Sequence, residues 1–258
     1  RTNNSAWNIT VENCANHGDV TVNGTVGGIL GQSNGSSKNM LIRDCYNDGK
    51  ISGSDCTGGL IGSVQSGVEY GYGDKPTVYH TVVTDSYNAG AVTGTGNYTG
   101  GLIGENRQAQ IRNCYNTANV RGAQKAGGLA GRHYNGSMEY CYSIGEVTGA
   151  SGYMGTLIGQ RGDNINVRGL YAIAEPMIGD GDNDYIQKNQ LVRKIDLVTL
   201  RQLPEELNTN HAFQIAPGKT PMLIWQVVPE CQHPENKKGV AYVAILNDDG
   251  TASGKHTK

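Results

Sequence analysis

The six cysteines of this 258-residue chain are the first candidates for chemistry. Four of them recur about 30 residues apart, with a serine at the matching place in the third copy: Cys14, Cys45, Ser86, Cys114 and Cys141. Zinc sites usually draw on cysteines two to four residues apart, and a serine is a poor ligand. Free cysteine is also among the most buried residue types. We therefore expect a column of small, buried, reduced side chains, with no metal, and with Cys114 and Cys141 one rung apart.

Two further motifs resemble reactive or metal-binding loops. Residues 31–35 read Gly-Gln-Ser-Asn-Gly, which matches the nucleophile elbow G-x-S-x-G. That elbow needs a strand-to-helix turn and a downstream acid and histidine, whereas this copy falls at a repeat corner, so we interpret it as a chance match. Asp180, Asp182 and Asp184 have the 1-3-5 spacing of a calcium loop, but Leu191 replaces its final glutamate. A solvated acidic turn is favoured, and calcium binding stays open.

Composition narrows the class of protein. The chain has 38 glycines, a net charge of -2 and 17% charged residues. The absence of a basic excess argues against nucleic acid as a partner, and no apolar run approaches the ~20 residues of a membrane span. The glycine content argues against a helical protein. No cofactor-binding motif is found, because no histidine begins H-E-x-x-H and no glycine-rich loop opens a helix.

An internal repeat dominates the first two thirds of the chain. Five Gly-Gly-aliphatic cores place their second residue at Gly28, Gly59, Gly101, Gly128 and Thr156. A block such as Ile-Arg-Asn-Cys-Tyr-Asn precedes each core, and a Val-Thr-Gly-like piece lies between the two. Three short β-prone pieces per repeat predict a β-solenoid (a single-stranded parallel β-helix) of five to six coils. A propeller is the second choice, because its blades need about 40 residues and four strands.

Stacked coils place equivalent residues in ladders. We expect aliphatic ladders in the core and an amide ladder of Asn47, Asn88 and Asn116. Ile111 and Cys114 are three residues apart, so strict alternation cannot turn both inward. A bulge or corner at Asn113 would resolve this conflict. In that case a half-exposed tyrosine stack follows, made of Tyr46, Tyr87, Tyr115 and Tyr142.

These blocks resemble the GLUG repeat of bacterial surface proteins over about residues 11–172. Such repeats are found in adhesin-like proteins and in the accessory region of IgA-cleaving metalloproteases. The resemblance implies a β-helical region in a secreted or cell-surface bacterial protein, hence an extracellular location. It does not supply a single activity.

The chain divides into three parts by composition. We assign residues 1–175 to the solenoid, 176–228 to a small helical cap, and 229–258 to a connector and tail, with the start of a further domain as the alternative for the last part. Asp196 is the expected N-cap of a helix to Leu203, and Leu223–Trp225 the expected final strand. A cap covers the unpaired edge at an open solenoid end. We expect this excised segment to be a monomer.

The step of 42 residues between the second and third cores marks an insertion at about Val64–Tyr79. It carries Tyr70, Tyr72 and Tyr79, and insertions in repeat proteins project as loops that often bind. The alternative is a loop that packs its own aromatics. We expect a non-catalytic stalk or binding module for host glycan or protein. The alternatives are a carbohydrate-active β-helix, with carboxylates meeting from different coils, and an accessory domain of a secreted metalloprotease.

Overall fold

The computed structural model describes residues 8–33, 39–69, 77–150, 152–162, 165–180 and 191–227, with 67–69 and 77–79 described by their backbone alone. The chain winds into a parallel β-solenoid of about five coils, which confirms the all-β class. Helical structure in the described part is limited to the helix Leu197–Leu200 and a 3-10 turn at Ile224–Val227.

Each coil has five short strand positions, which we call A to E in chain order, and equivalent strands of successive coils pair in parallel. The A strands are Asn8–Glu12, Asn39–Arg43, Thr81–Thr84 and Gln110–Arg112; the B strands are Ala15–Asn16, Tyr46–Asn47, Tyr87–Asn88 and Tyr115–Asn116. The C strands are Val20–Val22, Ile51–Gly53, Val92–Gly94, Val120–Gly122 and Val147–Gly149. The D strands are Val26–Gly27, Cys56–Gly58, Tyr98–Gly100, Lys125–Gly127 and Tyr153–Gly155. The E strands are Leu30–Gln32, Ile61–Gln65, Ile103–Arg107, Ala130–Tyr134 and Ile158–Arg161.

The remaining strands extend or decorate this stack. In the fifth coil Ser137–Ser143 spans positions A and B, and Asn166–Ala172 pairs with it. Val192–Lys194 then pairs with the second half of Asn166–Ala172. The antiparallel strands Gly67–Glu69 and Thr77–Tyr79 form a hairpin between the second and third coils.

The expected three strands per coil was wrong, because two of the sequence blocks each form two strands. The Gly-Gly-aliphatic core is not a strand but the turn between D and E. In the third coil, for example, Gly100 ends the D strand and Ile103 begins the E strand. The predicted Leu ladder does lie in the core, since Leu60, Leu102 and Leu129 are buried.

A left-handed residue separates the A and B positions in every coil. The φ values of the first four are 54°, 54°, 50° and 51°, at Asn13, Asp44, Asp85 and Asn113. Asn and Asp tolerate this conformation better than most residues because their short polar side chains bond locally. The predicted corner at Asn113 is confirmed, and it allows both Ile111 and Cys114 to be buried.

The cysteine column is confirmed as a ladder of free thiols that is buried at Cys45, Cys114 and Cys141. Cys14, at its first position, is exposed, which corrects the expectation of a column buried throughout. Sγ of Cys114 donates to the Arg112 carbonyl at 3.0 Å, across the corner, and Oγ of Ser86 makes the same bond to Thr84 at 2.8 Å. The column also bonds along the stack, because the backbone N–H of Cys114 donates to Sγ of Cys141 at 3.4 Å. Serine fits because it repeats the bonds that the thiols make.

The asparagine column forms the continuous amide ladder that the sequence predicts. Nδ2 of Asn47 donates to Oδ1 of Asn88 at 2.7 Å, and Nδ2 of Asn88 donates to Oδ1 of Asn116 at 2.9 Å. Each Nδ2 also donates to a carbonyl two residues ahead, as in the Asn88–Gly90 bond of 2.8 Å. These side chains are fully buried, and their polar atoms are paired within the ladder.

The tyrosine stack exists, but only its first part is half-exposed. The rings of Tyr46, Tyr87, Tyr115 and Tyr142 stack at centroid distances of 5.0, 4.9 and 4.9 Å. Tyr46 and Tyr87 are half-buried, whereas Tyr115 and Tyr142 are buried, which corrects the expectation of a half-exposed stack.

The C-terminal segment buries the stack from the side. Phe213 and Leu223 pack with Tyr115 and Tyr142, and Nε1 of Trp225 donates to the Asp85 carbonyl at 2.9 Å. Within the predicted cap, Phe213, Leu223 and Trp225 thus pack along the side of the coils, whereas Val192–Lys194 pairs with the last strand at the end of the stack. The N-cap at Asp196 is confirmed, but its helix ends at Leu200.

The strand predicted at Leu223–Trp225 also differs from its prediction. It comprises Met222–Leu223 alone, paired with Phe213–Gln214. Ile224 and Trp225 belong instead to the 3-10 turn.

Candidate functional site

A polar groove crosses the second coil on the face formed by the D and E strands. Its position follows from two columns of outward side chains. In the D column Thr25 and Cys56 are followed by the larger Tyr98 and Lys125. In the E column the small Ser63 lies between the larger Gln32 and Glu105. Because both columns are short at the second coil, a recess of about 400 Å³ opens there, walled by the first and third coils.

Glu105 is a buried carboxylate in the wall of this second-coil groove. Its Oε1 accepts from Nε of Arg107 at 2.9 Å and from Nη1 of Arg132 at 3.2 Å. Its Oε2 has only long contacts, to Oγ of Ser63 at 3.5 Å and Sγ of Cys56 at 4.0 Å. One oxygen is therefore fixed by ion pairs, and the other retains acceptor capacity on the groove side.

Asp55 is a second, half-buried carboxylate of the second-coil groove. Its Oδ2 accepts from Oγ1 of Thr25 at 2.9 Å, while its Oδ1 is 3.5 Å from Nδ2 of Asn97. The two carboxylates come from the second and third coils, so their presence in one groove is a product of stacking.

Ser33 contributes a hydroxyl without a partner. The residue is 2% exposed, lines the second-coil groove, and its Oγ makes no hydrogen bond within the described part of the chain. A buried polar group left in this way costs free energy, so its presence calls for a reason. Ser33 directly follows an E strand, and no histidine is among the described residues that line the groove. That setting supports the interpretation of residues 31–35 as a chance match to the nucleophile elbow.

Cys56 forms part of the groove floor, and its thiol is unreactive. Burial, together with the nearby charge of Glu105, raises the pKa of Cys56 to about 12. A thiol with such a pKa stays protonated at neutral pH and is a poor nucleophile and a poor metal ligand. Cys56 contributes to the groove by its small size, which helps to leave the recess open.

The residues that the sequence suggested as a binding surface follow a groove residue, Gln65, in the amino-acid sequence. Tyr70 and Tyr72 lie outside the described residues, and only the backbone of Tyr79 is described, in the hairpin paired with Gly67–Glu69. That hairpin begins two residues after Gln65, which lines the groove. The proposal of a tyrosine-bearing binding loop therefore stays a prediction.

The acidic loop is only partly described. Oδ2 of Asp180 accepts from the backbone N–H of Arg161 at 3.0 Å, and burial raises its pKa. Asp182 and Asp184 lie outside the described residues, so the calcium alternative stays open. Within the described ranges, no group of three or more His, Cys, Asp or Glu side chains is arranged to hold a metal ion. In the same ranges, no helix has the length and apolar character to cross a membrane.

Sequence reasoning missed the groove because it looked for residues that recur. The signal lies in residues that break their columns. Cys56 is outside the cysteine column, and Ser63 occupies a place that other repeats fill with Gln32, Glu105 or Arg132.

Comparison with known families agrees with the repeat. The profile described as the GLUG motif matches residues 95–121 and 122–148, so the chain carries a GLUG-repeat region. Each match begins three residues before a D strand and ends within the following C strand, and so spans one complete turn of the solenoid. Comparison with curated proteins and with solved structures gave no match. GLUG repeats in a β-solenoid are typical of a repeat-containing extracellular module.

Proposed function

We propose that this chain is a non-catalytic binding module of a bacterial cell-surface or secreted protein, which adheres to a host glycan or protein. Two surfaces of the second coil would make the contact. One is the insertion with Tyr70, Tyr72 and Tyr79, and the other is the polar groove, whose lining residue Gln65 lies at the start of the insertion in sequence. Tyrosines supply flat, amphipathic contact area that suits sugars and proteins alike.

The observation that carries this proposal is the coincidence of two departures from the repeat. The second coil alone has short residues in both outward columns, Cys56 and Ser63, and it alone is followed by the long insertion. A spacer needs neither feature, because identical coils make an equally good stack. Recesses with a few convergent polar groups are the usual form of small-ligand sites.

A glycan and host-protein array with this chain tests the proposal. The parent should bind at least one probe, and Tyr70→Ala/Tyr72→Ala should reduce that signal about tenfold. Tyr153→Ala is the matched control, since this tyrosine is 43% exposed on the fifth coil, and it should bind like the parent. Absence of binding by the parent would favour a spacer and reject the proposal.

A carbohydrate-active enzyme is the second candidate, favoured by one observation. Asp55 and Glu105 line the same groove, and glycosidases work with a pair of carboxylates. Against this reading, Oε1 of Glu105 accepts from Arg107 and Arg132, which suits a structural ion pair better than a proton donor. Release of reducing sugar from a bound glycan, abolished by Asp55→Asn, would favour the enzyme.

A further inference from the structure

The second-coil groove presents more hydrogen-bond acceptors than the protein uses. Among the described residues, Oε2 of Glu105 has no donor closer than 3.5 Å, and the donor nearest to Oδ1 of Asp55 is 3.5 Å away. Oγ of Ser33, which can both donate and accept, has no partner in that part of the chain. A ligand that fits must therefore offer several donors and at least one acceptor at short range, which is the pattern of a polyol.

The surrounding charges argue against a cationic ligand. Two guanidinium groups hold Glu105, and Nζ of Lys125 lies 5.1 Å from the ring centre of Tyr98. Arg107 lines the groove, and Arg132 and Lys125 of the fourth coil contact its lining residues Glu105 and Tyr98, so three positive groups lie near the two carboxylates. A metal ion or an amine would meet repulsion on the third-coil side. An anionic ligand would in turn meet the acceptor oxygens of Asp55 and Glu105 directly.

We propose that the second-coil groove binds one neutral, hydroxyl-rich sugar residue of a glycan. Its hydroxyls donate to Glu105 and Asp55, the hydroxyl of Ser33 completes the set, and Tyr98 offers part of its ring to the apolar face of the sugar. A volume of about 400 Å³ lies within the usual range for small-ligand sites. This inference rests on the proposed function and specifies its ligand.

The orphan hydroxyl of Ser33 is the second, independent observation behind this proposal. A hydroxyl that is 2% exposed and unpaired lowers the stability of the free protein. When a bound ligand forms a hydrogen bond with such a hydroxyl, the free-energy cost of leaving it unpaired is removed. The small size of Cys56 and Ser63 alone would only show that the groove is open.

The experiment titrates groove variants against a glycan array that contains neutral, sialylated and sulfated glycans. Ser63→Gln fills the floor with the side chain that Gln32 and Gln160 supply at the same column position, so the fold should tolerate it. Ser33→Ala removes the orphan hydroxyl. Ser52→Gln is the matched control, because it makes the same serine-to-glutamine change on the C strand of the same coil.

The parent should bind neutral glycans. Ser63→Gln should weaken this binding about tenfold or more and Ser33→Ala about three- to tenfold, with Ser52→Gln unchanged. Thermal unfolding at the parental temperature shows that each variant is folded.

Two results would overturn the inference and leave the proposed function standing. One is binding only to acidic glycans or to a host protein. The other is neutral-glycan binding that survives both Ser63→Gln and Ser33→Ala. Failure of the parent to bind any glycan or host protein would remove the proposed function and this inference together.

Discussion

The corner between the A and B strands and the face formed by the D and E strands are built from the same coils, yet they differ in regularity. At the corner, Asn88 and Ser86 find their partners in neighbouring coils, and in the described part of the chain no buried side-chain polar atom of the cysteine or asparagine column is unpaired. At the D–E face, the hydroxyl of Ser33 has no partner among the described residues, and only one of the two carboxylate oxygens of Glu105 makes short hydrogen bonds. In a stack of repeats, uniform columns hold the coils together, and interruptions leave the groups that a ligand can meet.

Gly101→Ala should give the largest effect on the regular side of this comparison. A Cβ at Gly101 would lie 2.1 Å from the carbonyl oxygen of Gly128 and 2.4 Å from Cγ of Asn116. Both neighbours are fixed, so we expect a loss of more than about 4 kcal/mol in the free energy of unfolding, or no folded protein. Urea unfolding measures it.

Gly18→Ala is the control for Gly101→Ala. Its Cβ would meet only Oδ1 of Asn16, at 3.9 Å, so the change should stay within about 0.5 kcal/mol. Equal losses in the two variants would show that helix and strand propensity, not close approach of the coils, explains the glycines.

Asn88→Ala should come next, at about 3 kcal/mol. The substitution removes the bond to Asn116 and the bond to the Gly90 carbonyl, and it leaves the buried Nδ2 of Asn47 without one of its two acceptors. Asn16→Ala, at the half-buried end of the same column, should cost about 1 kcal/mol. If the internal and terminal variants lose the same stability, the amides act singly and not as a ladder.

His133 extends the comparison to the interior of the D–E face. It is fully buried, next to Asn106 of the coil below, whose Nδ2 lies 2.8 Å from Nδ1 of the imidazole. Burial lowers the pKa of His133 from 6.5 to about 4. Between pH 6.5 and pH 4, His133 is therefore protonated in the unfolded chain but stays neutral in the folded chain.

Stability linked to His133 should be fully present above pH 6.5 and decline by about 3 kcal/mol as the pH falls to 4. His133→Asn, which repeats the residue of the coil below, should remove this part of the pH dependence. Unfolding curves at pH 7, 5.5 and 4 measure it. An unchanged slope in the variant would assign the acid sensitivity to other groups.

The ladders could be predicted from the sequence because the residues of each ladder recur at the same position in several repeats. The corner at Asn113 and the amide bonds of Asn88 follow from residue type plus repetition. The lateral position of Trp225 could not be predicted, because it depends on a single packing event between distant segments. The groove was missed for a related reason. It consists of two exceptions in the second coil, and only the register shows that Cys56 and Ser63 are neighbours of larger residues in the adjacent coils.

The last comparison makes the same substitution, serine to alanine, at the A–B corner and at the D–E face. Its expected effects on stability are the smallest, but the contrast between the two regions is the most direct. Ser86→Ala removes a hydroxyl that donates to the Thr84 carbonyl at 2.8 Å and accepts from the backbone N–H of Cys45 at 3.1 Å. It should cost about 1–2 kcal/mol, since a buried N–H loses its acceptor, and Ser86→Cys should restore most of that loss by completing the thiol column.

Ser33→Ala removes an equally buried hydroxyl that has no bond to lose. Its free energy of unfolding should stay within about 0.5 kcal/mol of the parent or rise, because the unpaired group no longer has to be kept from water. Unfolding curves of the two alanine variants, recorded side by side, measure the difference. A loss at Ser33 as large as that at Ser86 would mean that this hydroxyl is already paired in the free protein. The D–E face would then be as complete as the A–B corner, and the case for a ligand at Ser33 would fall.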